Sequence, residues 1–234
     1  MDAIILAGGK GTRLQSVVSD VPKPLAPVNN RPFLDIIFNF LNKCNYIDNV
    51  IIAAGYMADK IIKEYQNRRE YSFSILFSVE DELLGTGGAI KRAMQFSQSE
   101  DFIVLNGDSY IELNLGAFIQ THLKNNKVMT IVLKEVENAN RYGRVTLDDN
   151  NRIIYFEEKN PEPSKGYINA GVYLIKRELF EKIEENEAIS LERDLLPGFI
   201  KDNDVYGYLC EGKFIDIGIP ETYIISSQFF ETEA

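Results

Sequence analysis

The chain is 234 residues long, 45% of them hydrophobic, and carries a formal net charge of −10 with a single histidine. Those values fit one folded domain of generous size; they exclude a nucleic-acid binder, which needs a basic footprint, and leave no His-rich metal cluster or Ser/His hydrolase site. Apolar runs such as Ile51-Ile52-Ala53-Ala54 are too short to span a membrane, Met1 leads straight into a strand pattern without a secretory signal, and Cys44 and Cys210 read as free thiols of a reducing, cytoplasmic setting.

Strand and helix patterns alternate through the first half. Asp2 to Leu6 reads as a buried strand that ends in a glycine-rich turn. Phe33, Ile36, Ile37, Phe40 and Leu41 recur at three and four, which predicts a helix. Asn49 to Ala54 predicts a strand, Ala58, Ile61, Ile62 and Tyr65 a helix, and Phe73 to Val79 a strand. A helix over Gly87 to Phe96, a strand over Phe102 to Leu105, a helix over Leu115 to Leu123 and a strand over Val128 to Leu133 complete this half. The second half changes character. Arg144 to Leu147 and Arg152 to Phe156 flank Asp148-Asp149-Asn150-Asn151 as a hairpin. Tyr167 to Ile175 follows as a strand, Glu178 to Glu185 as a helix, and Ser190 caps a short helix that Pro197 ends. Val205 to Leu209 and Phe214 to Ile217 are the last strands, and Pro220 opens a terminal helix. The fold class expected is α/β: a Rossmann-like, mixed but mainly parallel sheet flanked by helices, with a smaller β-rich lid from the second half.

Leu6-Ala7-Gly8-Gly9-Lys10-Gly11-Thr12-Arg13-Leu14 is the sharpest local feature. Three glycines after a parallel strand let backbone N–H groups close on an anion. A Walker-type loop is excluded because Gly11 follows Lys10, and a dinucleotide fingerprint from Gly9 is excluded because Leu14 stands where its third glycine belongs. Arg13 and Lys23 bracket a stretch stiffened by Pro22, Pro24 and Pro27, an arrangement that suits triphosphate charge. Asp108 follows the strand Phe102-Ile103-Val104-Leu105 through Asn106-Gly107, and Asp216 ends Phe214-Ile215. Carboxylates at strand ends meet ligands in open α/β sheets and offer the hard oxygens that Mg²⁺ prefers.

The glycine-rich turn with Lys23-Pro24-Leu25 resembles the signature of the sugar-1-phosphate nucleotidylyltransferases. The resemblance continues in Leu84-Gly85-Thr86-Gly87-Gly88-Ala89, Asn106-Gly107-Asp108, Glu157-Glu158-Lys159, Asn169-Ala170-Gly171 and Phe214-Ile215-Asp216-Ile217-Gly218, in the family's order along nearly the whole chain. It implies one nucleotidyltransferase domain over 1–234, with a nucleotide-binding half near 1–135, a sugar-phosphate half near 136–234 and no C-terminal β-helix. The substrates implied are a nucleoside triphosphate and a sugar 1-phosphate; a homo-oligomer is left open.

The resemblance also implies residue roles. Leu6, Ala7, Gly8, Gly9, Gly11, Thr12, Gly85, Thr86, Asn106 and Gly107 would hold the nucleotide, and Glu80 would accept from guanine N1–H and N2–H₂, with backbone groups bared by Gly85, Gly87 and Gly88 on the base edge. Arg13 is expected at the leaving pyrophosphate, Lys23 near the α-phosphate, and Asp108 with Asp216 on Mg²⁺. Gly143, Glu158, Lys159 and Asn169 fall to the sugar phosphate. Two departures from the family's pattern are visible: proline follows Lys159 one position late, as Asn160-Pro161, and Ile219-Pro220 replaces Thr-Pro. Within the family the motifs look most like those of the guanylyltransferases acting on D-glycero-α-D-manno-heptose 1-phosphate. Mannose-1-phosphate guanylyltransferases, uridylyl- or thymidylyltransferases, and a non-catalytic sugar-nucleotide-sensing subunit are the alternatives.

Overall fold

The computed structural model describes residues 1–158, 164–202 and 204–231, with only the backbone of residue 158. In chain order the elements are β1 (Asp2–Ala7), the two-residue ladder β2 (Pro27–Val28) and β3 (Arg31–Pro32), α1 (Phe33–Asn42), β4 (Asn49–Ala54), α2 (Ala58–Tyr65), β5 (Ser74–Val79), α3 (Gly85–Ala93), β6 (Asp101–Asn106), β7 (Ser109–Ile111) and α4 (Leu115–Lys124). Then follow β8 (Met129–Val136), β9 (Gly143–Leu147), β10 (Ile153–Glu158), β11 (Gly166–Lys176), α5 (Leu196–Asp202), β12 (Val205–Leu209), β13 (Phe214–Asp216) and α6 (Pro220–Phe230).

β5, β4, β1 and β6 lie side by side and parallel, so their carboxyl ends share one edge of the molecule. β11 then runs antiparallel to β6, and β8 antiparallel to β11, with β12 parallel to β8. The β9–β10 hairpin joins the amino-terminal part of β11. The β-rich second half is thus continuous with the parallel sheet, through β11. Strands buried on both faces are near-continuous apolar runs, and β1 shows the division of labour. Ala3, Ile5 and Ala7 pack toward α1, α2, α4 and α6, whereas Ile4 packs toward α3 and α5.

Two sequence expectations are corrected. Glu178 to Glu185 is not a helix: a single 3-10 turn, Arg177–Phe180, is formed. Glu181, Glu184 and Glu185 would repel one another at helical spacing, and Asn186 takes a left-handed φ of 61°. Pro197 does not end a helix: it lies in the first turn of α5, directly after the π-turn Leu191–Leu195, and the chain stays helical to Asp202. Ser190 does act as a cap, its Oγ accepting from Arg193 N at 3.2 Å, but it opens a π-turn, Leu191–Leu195, that leads into α5. The strand β7 escaped the sequence reading. His122, to which the sequence gave no role, is buried in α4 and hydrogen-bonds Thr130 Oγ1 through Nδ1 at 2.8 Å. Among the described residues no helix is long and apolar enough to cross a membrane.

Candidate active site

The shared carboxyl edge of the parallel strands opens on a cavity of about 300 Å³. Of the residues expected from sequence, Leu6, Ala7, Gly8, Gly9, Lys23, Glu80, Gly85, Thr86, Asn106, Gly107 and Asp108 all line it. Pro24, Leu83, Ala89 and Glu192 complete the wall. Gly11, Thr12 and Arg13 stand outside it, Arg13 exposed at the head of a 3-10 turn. Asn169 and Gly143 lie on the second-half strands. Lys159 and the side chain of Glu158 fall outside the described residues.

The two expected metal ligands arrive by pairing rather than by proximity in sequence. β13 pairs antiparallel with β7, setting Asp216 opposite Ser109, and Ile217 N donates to Asp108 O at 2.9 Å. Burial and the neighbouring Asp108 charge push the Asp216 carboxyl above its ordinary range, against the pull of the Gly218 N–H, Lys23 and Arg13. Gly218 N donates to Asp216 Oδ1 at 2.6 Å. Lys23 Nζ donates to Asp108 Oδ2 at 2.6 Å, so the ammonium already neutralises one member of the pair. Two hard carboxylates whose negative charges are crowded together suit a divalent cation. Among the described residues no third His, Cys, Asp or Glu joins them. The other ligands of such an ion would be substrate oxygens and water, a mixture that Mg²⁺ accepts.

Glu80 is buried and divides its carboxylate. Oε2 accepts from Leu84 N at 2.8 Å, while Oε1 lies against Gly8, where a Cβ would come within 2.7 Å of it. Burial raises its pKa, with the Leu84 N–H and the Arg92 charge opposing. Asp81 and Glu82, next along the chain, are exposed.

The glycines of the Leu84–Ala89 stretch need a different explanation from the expected one. Gly87 N and Gly88 N both donate to Ile189 O, at 2.9 and 3.2 Å, and Ile189 N donates to Leu84 O at 2.8 Å. These two amides are therefore committed to the 187–192 segment and do not face a base. A Cβ on Gly88 would lie 2.2 Å from Glu187 O, and one on Gly85 2.7 Å from Ile189 O. The glycines admit a second backbone. Gly143 is likewise not bare: a Cβ there would strike the Phe156 ring at 2.4 Å.

Asn169 and Glu192 meet through Tyr173. Asn169 Nδ2 donates to Tyr173 OH at 2.7 Å, and Tyr173 OH donates to Glu192 Oε1 at 2.9 Å. A flat strand separates residues four apart by ~13 Å. Here β11 bulges: Asn169 faces Leu133 and Tyr173 faces Ile131, so four steps on β11 match two on β8. Gly171, at φ +75°, makes the bend, and its Asn106 and Ser109 neighbours leave no room for a Cβ. Glu192 itself was missed by sequence reading. Its signal, one acid after the Ser190 cap, is indistinguishable from a solvated charge.

Known proteins match the chain along nearly its whole length. The chain is 42% identical over 223 residues to a D-glycero-alpha-D-manno-heptose 1-phosphate guanylyltransferase of Aneurinibacillus thermoaerophilus, covering 95% of both chains. It is 40% identical to a protein of the same description from Campylobacter jejuni, covering 95% of this chain and 97% of that one. The crystal structure of HddC from Yersinia pseudotuberculosis complexed with GMP-PN superposes with a TM-score of 0.86 at 35% identity, over 98% of this chain and 99% of the other. The family model described as nucleotidyl transferase matches residues 2–233, and the chain belongs to that family.

Proposed function

We propose that the chain transfers GMP from GTP to D-glycero-α-D-manno-heptose 1-phosphate, forming GDP-heptose and pyrophosphate. The observation that carries this reading is the full-length similarity to two guanylyltransferases of that heptose phosphate. The cavity at the ends of β1, β5 and β6, lined by Lys23, Asp108 and Glu80, supports it, with Asp216 next to Asp108 though not in the cavity wall. The sheet from residues 1–135 would hold the nucleotide and residues 136–234 the sugar phosphate. The reading carries a cytoplasmic reaction, since GTP is made there.

In this scheme an oxygen of the sugar 1-phosphate attacks the α-phosphorus in line, the bond to the β-phosphate oxygen breaks, and pyrophosphate leaves. Both reactants are anionic, so positioning and charge neutralisation do most of the catalysis. Asp108 and Asp216 would hold Mg²⁺, which supplies positive charge to the phosphates when bound. Lys23, released from Asp108, would reach the α-phosphate, and Arg13, exposed outside the cavity wall, would take the leaving pyrophosphate. Glu80 Oε1 is the carboxylate oxygen free to accept from guanine. Lys159, Glu158 and Asn169 would meet the incoming sugar phosphate. Pyrophosphate release, measured for GTP, ATP, UTP and dTTP against heptose, mannose, glucose and N-acetylated sugar 1-phosphates, tests the reading. The highest kcat/KM is expected for GTP with the heptose phosphate. A higher value with mannose 1-phosphate or with another base replaces the substrate assignment, and no release with any pair favours a sensing subunit.

A further inference from the structure

We propose that Glu192 is a positioning residue that ties the nucleotide wall of the cavity to the sugar-side strand β11 and so holds the two substrates in one frame. The inference deepens the guanylyltransferase reading and rests on it for the identity of the two sides.

The hydrogen bonds supply the argument. Oε1 of Glu192 accepts from Tyr173 OH, which itself accepts from Asn169 Nδ2. Oε2 accepts from Thr86 Oγ1 at 2.6 Å and from Ser190 Oγ at 3.3 Å. Thr86 Oγ1 in turn accepts from Leu191 N at 2.7 Å. Every proton in the relay points toward the one carboxylate: from Asn169 through Tyr173 on one side, from Leu191 through Thr86 on the other. Only an ionised carboxylate accepts from both sides, because an amide in its place would turn a donor toward one of the two hydroxyls. Bonds to an ionised acceptor are also the stronger kind. Tyr173 is fully buried, so it has no water to exchange with.

The charge of Glu192 sharpens the point. It lines a cavity proposed to receive a polyphosphate, where a further negative charge opposes binding. Holding Thr86 and Tyr173 is what offsets that. The π-turn Leu191–Leu195 delivers the side chain, and such turns are common at functional sites.

Two measurements on the same variants test this: amide hydrogen exchange of the ligand-free protein, and steady-state kinetics. Glu192→Gln should speed exchange at both Leu191 and Gly171, whose amides bond to Thr86 and Asn169, and raise both KM values and lower kcat by about 10-fold. Tyr173→Phe should loosen only Gly171 and raise the sugar phosphate's KM alone, and Thr86→Val should loosen only Leu191 and raise the KM of GTP alone. Glu192→Gln acting on a single side, or leaving both exchange rates unchanged, overturns the proposal. Faster exchange on both sides with unaltered kinetics overturns the link to catalysis. Should Glu192→Gln fail to fold, the Thr86→Val/Tyr173→Phe double variant decides: losses that depart from the product of the single losses support the tie, and a simple product overturns it. If the wild type turns over no pair of substrates, the guanylyltransferase reading falls, and exchange at Leu191 and Gly171 still decides the role of Glu192.

Discussion

Glu80 gives one oxygen to the Leu84 amide and keeps the other against Gly8 in the cavity wall. Its pKa is raised in the folded state, chiefly by burial, so the ionised form destabilises the ligand-free fold. That cost is absent below the ordinary glutamate value of about 4.3 and grows as pH rises through the folded value. Glu80→Gln should therefore melt higher than wild type at neutral pH, and the difference should close in acid. A lower melting temperature that ignores pH would show that the Leu84 bond, not the charge, dominates. The same variant should lower the ratio of GTP to UTP efficiency by about 10-fold, since an amide leaves a guanine donor unmatched. Beside Lys23, Asp108→Asn should cut turnover on the order of 10²–10³ while the fold survives. Undiminished turnover of the wild type in chelator would remove the metal from the assignment. Asp108 and Asp216 stood out in the sequence because one follows and the other ends a short apolar strand, a local pattern. Lys23 stood out as a cation in a proline-stiffened stretch, but its 2.6 Å pairing with Asp108 depends on chain 85 residues away.

At the scale of elements, the contact that organises the cavity is the docking of the 187–192 segment on the Leu84–Ala89 stretch. Two glycines of the site respond in opposite ways to a methyl group. Gly88→Ala would drive a Cβ to 2.2 Å from Glu187 O, a backbone atom that cannot swing aside. The expected loss is about 1–3 kcal/mol, read as a drop of roughly 2–12 °C in Tm. Gly9→Ala meets nothing within 4 Å and should leave Tm unchanged while weakening nucleotide binding, because its wall is where a ligand approaches. Equal stability of the two variants would refute this division. The glycine cluster was visible in the sequence, but its purpose was not. A glycine that admits a ligand and one that admits a distant backbone look alike in one dimension. The same limit explains the missing helix at 178–185, where apolar spacing competed with repelling acids.

At the scale of the molecule, no seam divides the two halves among the described residues. β11, from the second half, is hydrogen-bonded directly to β6 of the first, and both apolar faces run across that junction. The expected division near residue 135 is therefore one of substrate, proposed above, within a shared sheet. Thermal unfolding should show a single transition, and GTP with Mg²⁺ at about 100 times Kd should stabilise it by about 2.7 kcal/mol. Two transitions, of which nucleotide moves one, would contradict a common cooperative unit. The alternation of strands and helices in the first half was legible from periodicity alone. The antiparallel entry of β11 was not, because nothing in Tyr167 to Ile175 names its neighbours.

The bulge of β11 has a consequence for which changes of length the protein can survive. Beyond it, Val172 and Leu174 face the α1 side, and Tyr173 and Ile175 the α3 side. Because strand side chains alternate, removing one residue between Asn169 and Tyr173 would exchange those sets, thrusting the tyrosine into the wrong layer. Removing two would keep the layers but erase the bend that brings Asn169 to Tyr173. The hairpin turn at 149–151 is exposed and polar and adds no side chain to either layer, and its one long-range backbone bond is Gly207 N to Asn151 O at 2.8 Å. Insertions at Asp149-Asn150, ahead of the Asn151 bond, are thus absorbed, while β11 admits no change of one residue and loses its Asn169–Tyr173 contact on a change of two.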